Sequence, residues 1–208
     1  MSAQWTWFGS PLGAKMILQS TGFEAHAVTG TISSQPWIGA LGLLLSPSRG
    51  LLIFSPIVLI PLCAIPVVWR RRSEAGDRWW TAAAVLQFAC YACYSMWWGG
   101  HTYGPRYLVD ALVPLTPAAT AGVAWVTARR PRRIAAAVAL CWSIVVAATG
   151  AFCYPHDRWN TDPADVDRYH ARLWDWSDPQ ILRSWRRGPS PQNFDLFDPA
   201  AVRRPPPR

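Results

Sequence analysis

An all-α integral membrane protein is the fold class this sequence predicts, and three observations predict it. Only 15% of the 208 residues are charged while 51% are hydrophobic, whereas a soluble domain carries about 25% charged residues. Four apolar stretches are each close to the roughly 20 residues that cross a bilayer core. Arginines gather between these stretches instead of lying along one face. Mean hydropathy is only +0.07, because an apolar middle, residues 51–154, is averaged with a polar, Pro-rich end, residues 155–208.

The chain divides into an external segment, 1–50, a four-helix transmembrane region, 51–154, and an external tail, 155–208, disordered from about 199. Within 1–50 the stretch Trp37–Ser46 is apolar but too short to cross. It reads as a short interfacial or re-entrant helix ended by Pro47-Ser48-Arg49-Gly50. The spans run Leu51–Trp69, Trp79–Trp98, about Leu108–Ala128 and Ile134–Tyr154. Three of them are edged by Trp or Tyr, as an interfacial belt requires. Pro56, Pro61 and Pro66 in the first and Pro114 and Pro117 in the third each remove a backbone hydrogen bond and kink the helix. Helices broken in this way are normally packed in a bundle.

Orientation follows from the arginines. Arg70, Arg71, Arg72 and Arg78 follow the first span, and Arg129, Arg130, Arg132 and Arg133 the third. By the positive-inside rule both loops face the cytoplasm, so both termini and the loop Gly99–Tyr107 are external. The formal charge of +8 therefore does not mark a nucleic-acid binder, which sets its basic residues along one face with aromatics between them. The tail carries nine arginines and eight aspartates, a balance that a translocated segment tolerates. It reads as irregular, with one short helix over Ala164–Trp176 between the turn signals Asp162-Pro163 and Asp178-Pro179.

Five cysteines, Cys63, Cys90, Cys93, Cys141 and Cys153, lie in or beside apolar stretches. Cys90-x-x-Cys93 has no second pair or histidine cluster with it, so these are small hydrophobes. His156, Asp157, Asp162, Asp165, Asp167 and His170 are of metal-ligand type. Their spacing fixes no geometry, a solvated tail accounts for them, and neither a metal nor a cofactor is expected.

The densest polar constellation runs from Trp97 to Asp110. Gly99, Gly100 and Gly104 allow tight turns or close approach to a ligand. Arg106 offers a planar fork suited to phosphate oxygens, with His101, Tyr103 and Tyr107 beside it. Arg49 lies next to Gly50 at the same expected water–lipid boundary. Two such arginines suit a lipid-linked phosphate. The plainer alternatives are that Arg106 pairs with Asp110 four residues on and that Arg49 snorkels to the interface.

The segments Pro47-Ser48-Arg49-Gly50-Leu51-Leu52-Ile53-Phe54-Ser55-Pro56, Trp98-Gly99-Gly100 and Tyr103-Gly104-Pro105-Arg106-Tyr107 resemble recurrent segments of bacterial polytopic glycosyltransferases of the GT-C superfamily. These are similar to protein O-mannosyltransferases and other family 39 enzymes. Phe8-Gly9-Ser10-Pro11 and the tail stretches Asp167-Arg168-Tyr169 and Arg172–Trp176 extend the resemblance over about residues 5–187. It implies an enzyme of the bacterial cytoplasmic membrane that transfers sugar from a polyprenyl-phosphate donor on the external face. Donor phosphate would meet Arg106 and Arg49 with Tyr103, Tyr107 and His101, supported by Asp110, Gly99, Gly100 and Gly104. The family's general base is an acid of the first external loop, and the family has roughly a dozen spans. Glu24 is the sole acid before the first span and does not match, so no catalytic residue is assigned. The chain reads as the C-terminal part of such an enzyme, whose partners would be membrane lipid, the lipid-linked donor and the remaining N-terminal spans. The alternative from another class is a non-catalytic four-span scaffold or partner subunit.

Overall fold

Proline placement decides how the apolar stretches fold. The computed structural model describes residues 32–33, 35–70, 75–191 and 193–194. Phe8–Pro11, Glu24, Arg71, Arg72 and the tail beyond 194 lie outside the described residues. Seven α-helices and four 3₁₀ turns are found among those described. No strand occurs there beyond a lone antiparallel bridge between Ile32 and Tyr94.

Helix α1, Pro36–Leu45, opens with proline at its first turn, where the missing N–H costs nothing. It is the short apolar helix expected before Pro47. It packs closely on a distant tryptophan through glycine: a Cβ at Gly42 would lie 2.2 Å from the Trp97 indole, so no larger residue fits.

The first apolar stretch is broken. Helix α2, Leu51–Phe54, stops at Ser55 (φ −141°, ψ 66°), where Pro56 starts a 3₁₀ turn over Pro56–Val58. Helix α3, Leu59–Arg70, then continues with Pro66 inside it. Helix α4, Ala75–Ala92, begins four residues before the expected second span and stops six short of its end. Cys93–Trp98 turns away instead, with Trp97 and Trp98 buried, Trp97 on Gly42 of α1 and Trp98 on Asp167 and His170 of the tail. The third stretch begins as 3₁₀ turns, Arg106–Leu108 and Asp110–Leu112, and bends by 75° into helix α5, Thr116–Thr127. Pro114 lies in the bend and Pro117 in the first turn of α5.

Helix α6, Arg130–Cys153, has proline only at its start and runs unbroken for 24 residues. It is the one described helix long and apolar enough to cross a membrane; the bent pair ending in α5 makes a second if it counts as one span. Only 17% of its apolar window is buried, and Ile134, Val138 and Ile144 face outward. A soluble protein's core helix would bury that surface. Trp79, Leu86 and Val123 are likewise exposed on α4 and α5.

The tail is more ordered than its composition suggests. The expected helix over Ala164–Trp176 is only a 3₁₀ turn, His170–Trp174. The Asp165 carboxylate accepts the Asp167 backbone N–H at 2.9 Å, a local bond that competes with helix. The regular helix lies later: α7, Gln180–Arg187, buries Ile181 against Phe54 and Val146. Trp185 Nε1 donates to Thr149 Oγ1 at 2.8 Å, and Asn193 Nδ2 donates to the carbonyls of Ala151 and Tyr154. Tail, α6 and α2 thus form one polar cap at the end of α6. All five cysteines are free.

Candidate functional site

The cap is organised around Arg49. Ser46 Oγ donates to Leu173 O at 2.6 Å and accepts the N–H groups of Ser48 and Arg49. That tight turn aims the Arg49 side chain inward, and the residue is 0% exposed. Nε donates to Trp98 O at 2.9 Å. Nη1 donates to Ser48 O and Gln180 Oε1, both at 2.7 Å. Nη2 donates to Gly100 O at 3.2 Å and Asn160 Oδ1 at 2.7 Å. A guanidinium has five N–H donors, so every one is used. Burial lowers its pKa to about 10, opposed by Tyr154, Asp167 and Asp157, and it remains a cation at neutral pH.

Arg49 was expected on the donor phosphate beside Arg106, and the structure corrects that expectation: no donor is left for a ligand. Its acceptors come from the turn after α1, the Trp98–Gly100 loop, Asn160 and Gln180. The segment Ser46–Gly50 fastens the cap.

Trp159 fills the centre of the same cluster and is also 0% exposed. The guanidinium carbons of Arg49 and Arg172 lie 5.2 and 4.7 Å from its ring centroid, and its Nε1 donates to Asp178 O at 2.7 Å. Arg172 Nε donates to Trp159 O and Nη2 to Asp162 O. Buried Asp157 accepts from Ser184 Oγ at 2.5 Å and from the Trp159 backbone N–H.

The glycine-rich loop is therefore held in place before any ligand arrives. Gly104 has φ +66°, and a Cβ there would lie 2.7 Å from Phe54, so glycine is required on both counts. Its N–H donates to Gln180 Oε1. Tyr103 Oη donates to Val146 O at 3.1 Å, and burial pushes its pKa upward. Tyr107 stacks on Tyr91 with centroids 4.5 Å apart, and burial pushes it up to about 12. Both phenols stay neutral at physiological pH, so they are hydrogen-bonding groups and not bases.

Arg106 differs from Arg49 in every respect. It is exposed, and its guanidinium carbon lies 6.0 Å from the Tyr107 ring. Among the described residues its guanidinium makes no hydrogen bond or ion pair. The expected alternative of an Arg106–Asp110 pair is not formed, and Asp110 is itself exposed. Two residues on, Leu108 helps line an apolar cavity of about 190 Å³ between α2, α3, α4 and the turn into α5, with Leu51, Leu62, Phe88, Ala111 and Leu115. The loop thus carries an exposed guanidinium two residues from a wall of this apolar cavity.

His101 is brought to the tail. Its Nε2 lies 3.1 Å from Asp165 Oδ1 and 3.5 Å from Asp167 Oδ2. His156, Asp162 and His170 are not part of this cluster. His170 packs on Trp98, with centroids 4.3 Å apart.

Sequence reasoning missed Asn160, Gln180 and Trp159, which hold the site together. No motif marks them, because each acts through tertiary contacts more than ten residues away. No protein-family model, curated protein or solved structure matches this chain.

Proposed function

We propose that this chain is a membrane glycosyltransferase module of the GT-C type whose external cap holds the phosphate of a polyprenyl-phosphate-linked sugar through Arg106. The observation that carries the reading is the free, exposed guanidinium of Arg106 on a loop pinned by Arg49, Gln180 and Gly104. A planar fork binds phosphate oxygens bidentately. Preorganisation of the loop lowers the ordering cost of binding. The cavity below Leu108 is of the right character for the start of an isoprenoid chain. Tyr103 and Tyr107 are neutral neighbours that shape the loop, and His101 borders it.

Binding of polyprenyl phosphate in detergent micelles tests this. A charge-assisted hydrogen bond contributes about 1.5–3 kcal/mol, so Arg106→Ala should weaken binding roughly ten- to hundredfold. Arg106→Lys should recover part of the loss, keeping charge without the fork. Asp110→Asn should bind as the parent does. Equal affinity in parent and Arg106→Ala, with both folded, refutes the phosphate role.

The same reading places four apolar segments across the bacterial cytoplasmic membrane, with the cap and both termini external. The outward-facing apolar residues of α4, α5 and α6 support contact with lipid or with further helices, and the arginines beside α3 and α6 support the orientation. In a cysteine-free background, cysteines at exposed positions 156 and 176 should react with an impermeant thiol reagent on intact cells. A cysteine at exposed position 129 should react only after permeabilisation. The reverse pattern would put the cap in the cytoplasm and remove an external donor site.

One observation favours the second reading, a non-catalytic scaffold: Arg49, the other candidate phosphate ligand, is wholly structural. Under that reading polyprenyl phosphate does not bind at all.

A further inference from the structure

We propose that His101, Asp165 and Asp167 form a binding site for a divalent transition-metal ion of the manganese–zinc class. The inference is independent of the phosphate reading above.

Two chain segments, the glycine-rich loop and the tail, supply the geometry. The three ligand atoms all lie within 4.8 Å of one another, with His101 Nε2 at 3.1 Å from Asp165 Oδ1 and 3.5 Å from Asp167 Oδ2. Two ligands each about 2.1 Å from one ion, at octahedral to tetrahedral angles, lie roughly 3.0–3.4 Å apart. The 3.1 Å spacing falls inside that range and the 3.5 Å spacing just beyond it. The imidazole therefore needs only small adjustments to share an ion with either carboxylate.

Each ligand is already oriented by a neighbour. Trp98 Nε1 donates to Asp167 Oδ1 at 2.7 Å, which leaves Oδ2 turned to His101. The Asp167 backbone N–H donates to Asp165 Oδ1. Tyr154 Oη donates to His101 O at 2.6 Å and fixes the backbone that carries the imidazole. Hydrogen bonds of this kind orient metal ligands and tune their affinity. Trp98 is itself 6% exposed, and its carbonyl accepts from Arg49. The site therefore rests on the rigid part of the cap and not on a solvated tail.

The donor set chooses the metal. One imidazole with two carboxylates suits manganese or zinc, whereas calcium and magnesium prefer all-oxygen surroundings. Side-chain exposures of 40%, 38% and 25% for His101, Asp165 and Asp167 leave the remaining coordination positions open to water or an anionic ligand. Three protein ligands with an open position are the pattern of reactive metal sites, not of closed structural ones.

Mn²⁺ is the probe, since its preference for oxygen ligands removes the five free cysteines as competitors. The full chain in micelles, stripped with chelator, is titrated with Mn²⁺ and followed by electron paramagnetic resonance. One ion per chain is expected. His101→Ala, Asp165→Asn and Asp167→Asn should each abolish that stoichiometric site, while His156→Ala keeps it. Trp98→Phe, which removes only the supporting N–H, should weaken it about 10–100-fold. Asp165 is partly exposed, so Asp165→Asn should retain the parent's thermal midpoint without metal and thereby separate ligand loss from misfolding. Absence of stoichiometric binding, or binding that survives His101→Ala, shows that the cluster is an ion pair and overturns the proposal.

Discussion

Replacing Arg49 by leucine is expected to unfold the cap while leaving the apolar helices in place. The substitution strips the donors from Trp98 O, Gly100 O, Ser48 O, Asn160 Oδ1 and Gln180 Oε1. A buried acceptor left unsatisfied costs about 1–3 kcal/mol, and breaking a buried charged network about 3–5 kcal/mol. At this chain length the thermal midpoint should drop by roughly 10 °C. Far-ultraviolet circular dichroism should keep most of its helical signal. Arg49→Lys should recover less than half of the loss, because three donors cannot meet five acceptors. A midpoint for Arg49→Leu within about 2 °C of the parent would mean that the network contributes little.

Trp159→Ala should be comparably severe, for a different reason. A fully buried indole is removed, and truncations of this kind cost about 3–5 kcal/mol. Asp178 O loses its donor, and two guanidiniums lose the ring they lie against. Trp159→Phe keeps most of the volume and should lose only about 1–2 kcal/mol, chiefly the hydrogen bond. Because Arg49 and Trp159 touch, their effects should not add: the double variant is expected to be less destabilised than the sum of the two. Thermal midpoints of the four proteins measure this, and strict additivity would show that the residues act separately.

Local signals made part of this fold legible. Pro56 and Pro114 announced the breaks in the first and third apolar stretches, since a missing N–H acts on its own helix, whereas α3 runs on through Pro66. The unbroken Ile134–Tyr154 stretch became α6 nearly as read. The prominence of Trp97–Asp110 was visible because glycines, an arginine and tyrosines are adjacent in the chain. What was hidden depends on contacts between distant residues. Nothing near Arg49 tells whether it faces lipid, solvent or the interior; Asn160 and Gln180, 111 and 131 residues later, decide it. The end of α4 at Ala92 was hidden likewise, because Trp97 packs on distant Gly42 and Trp98 on distant Asp167 and His170. Asp165 overrode the expected tail helix by accepting the Asp167 backbone N–H, and α7 was missed because it is short and its apolar contact is with α2 and α6.

The Arg49 network also sets an order of events during synthesis. The side chain emerges early, yet two of its acceptors belong to residues translated after the last apolar segment. Gln180 meets both Arg49 and the backbone of Gly104 and Thr102, so it acts as a closing pin. Until it arrives, a cation and several carbonyls that will be dry in the finished protein must stay wet at the membrane surface. Closure therefore awaits α7, and a nascent chain halted before position 180 carries an open cap however completely its hydrophobic segments have been placed.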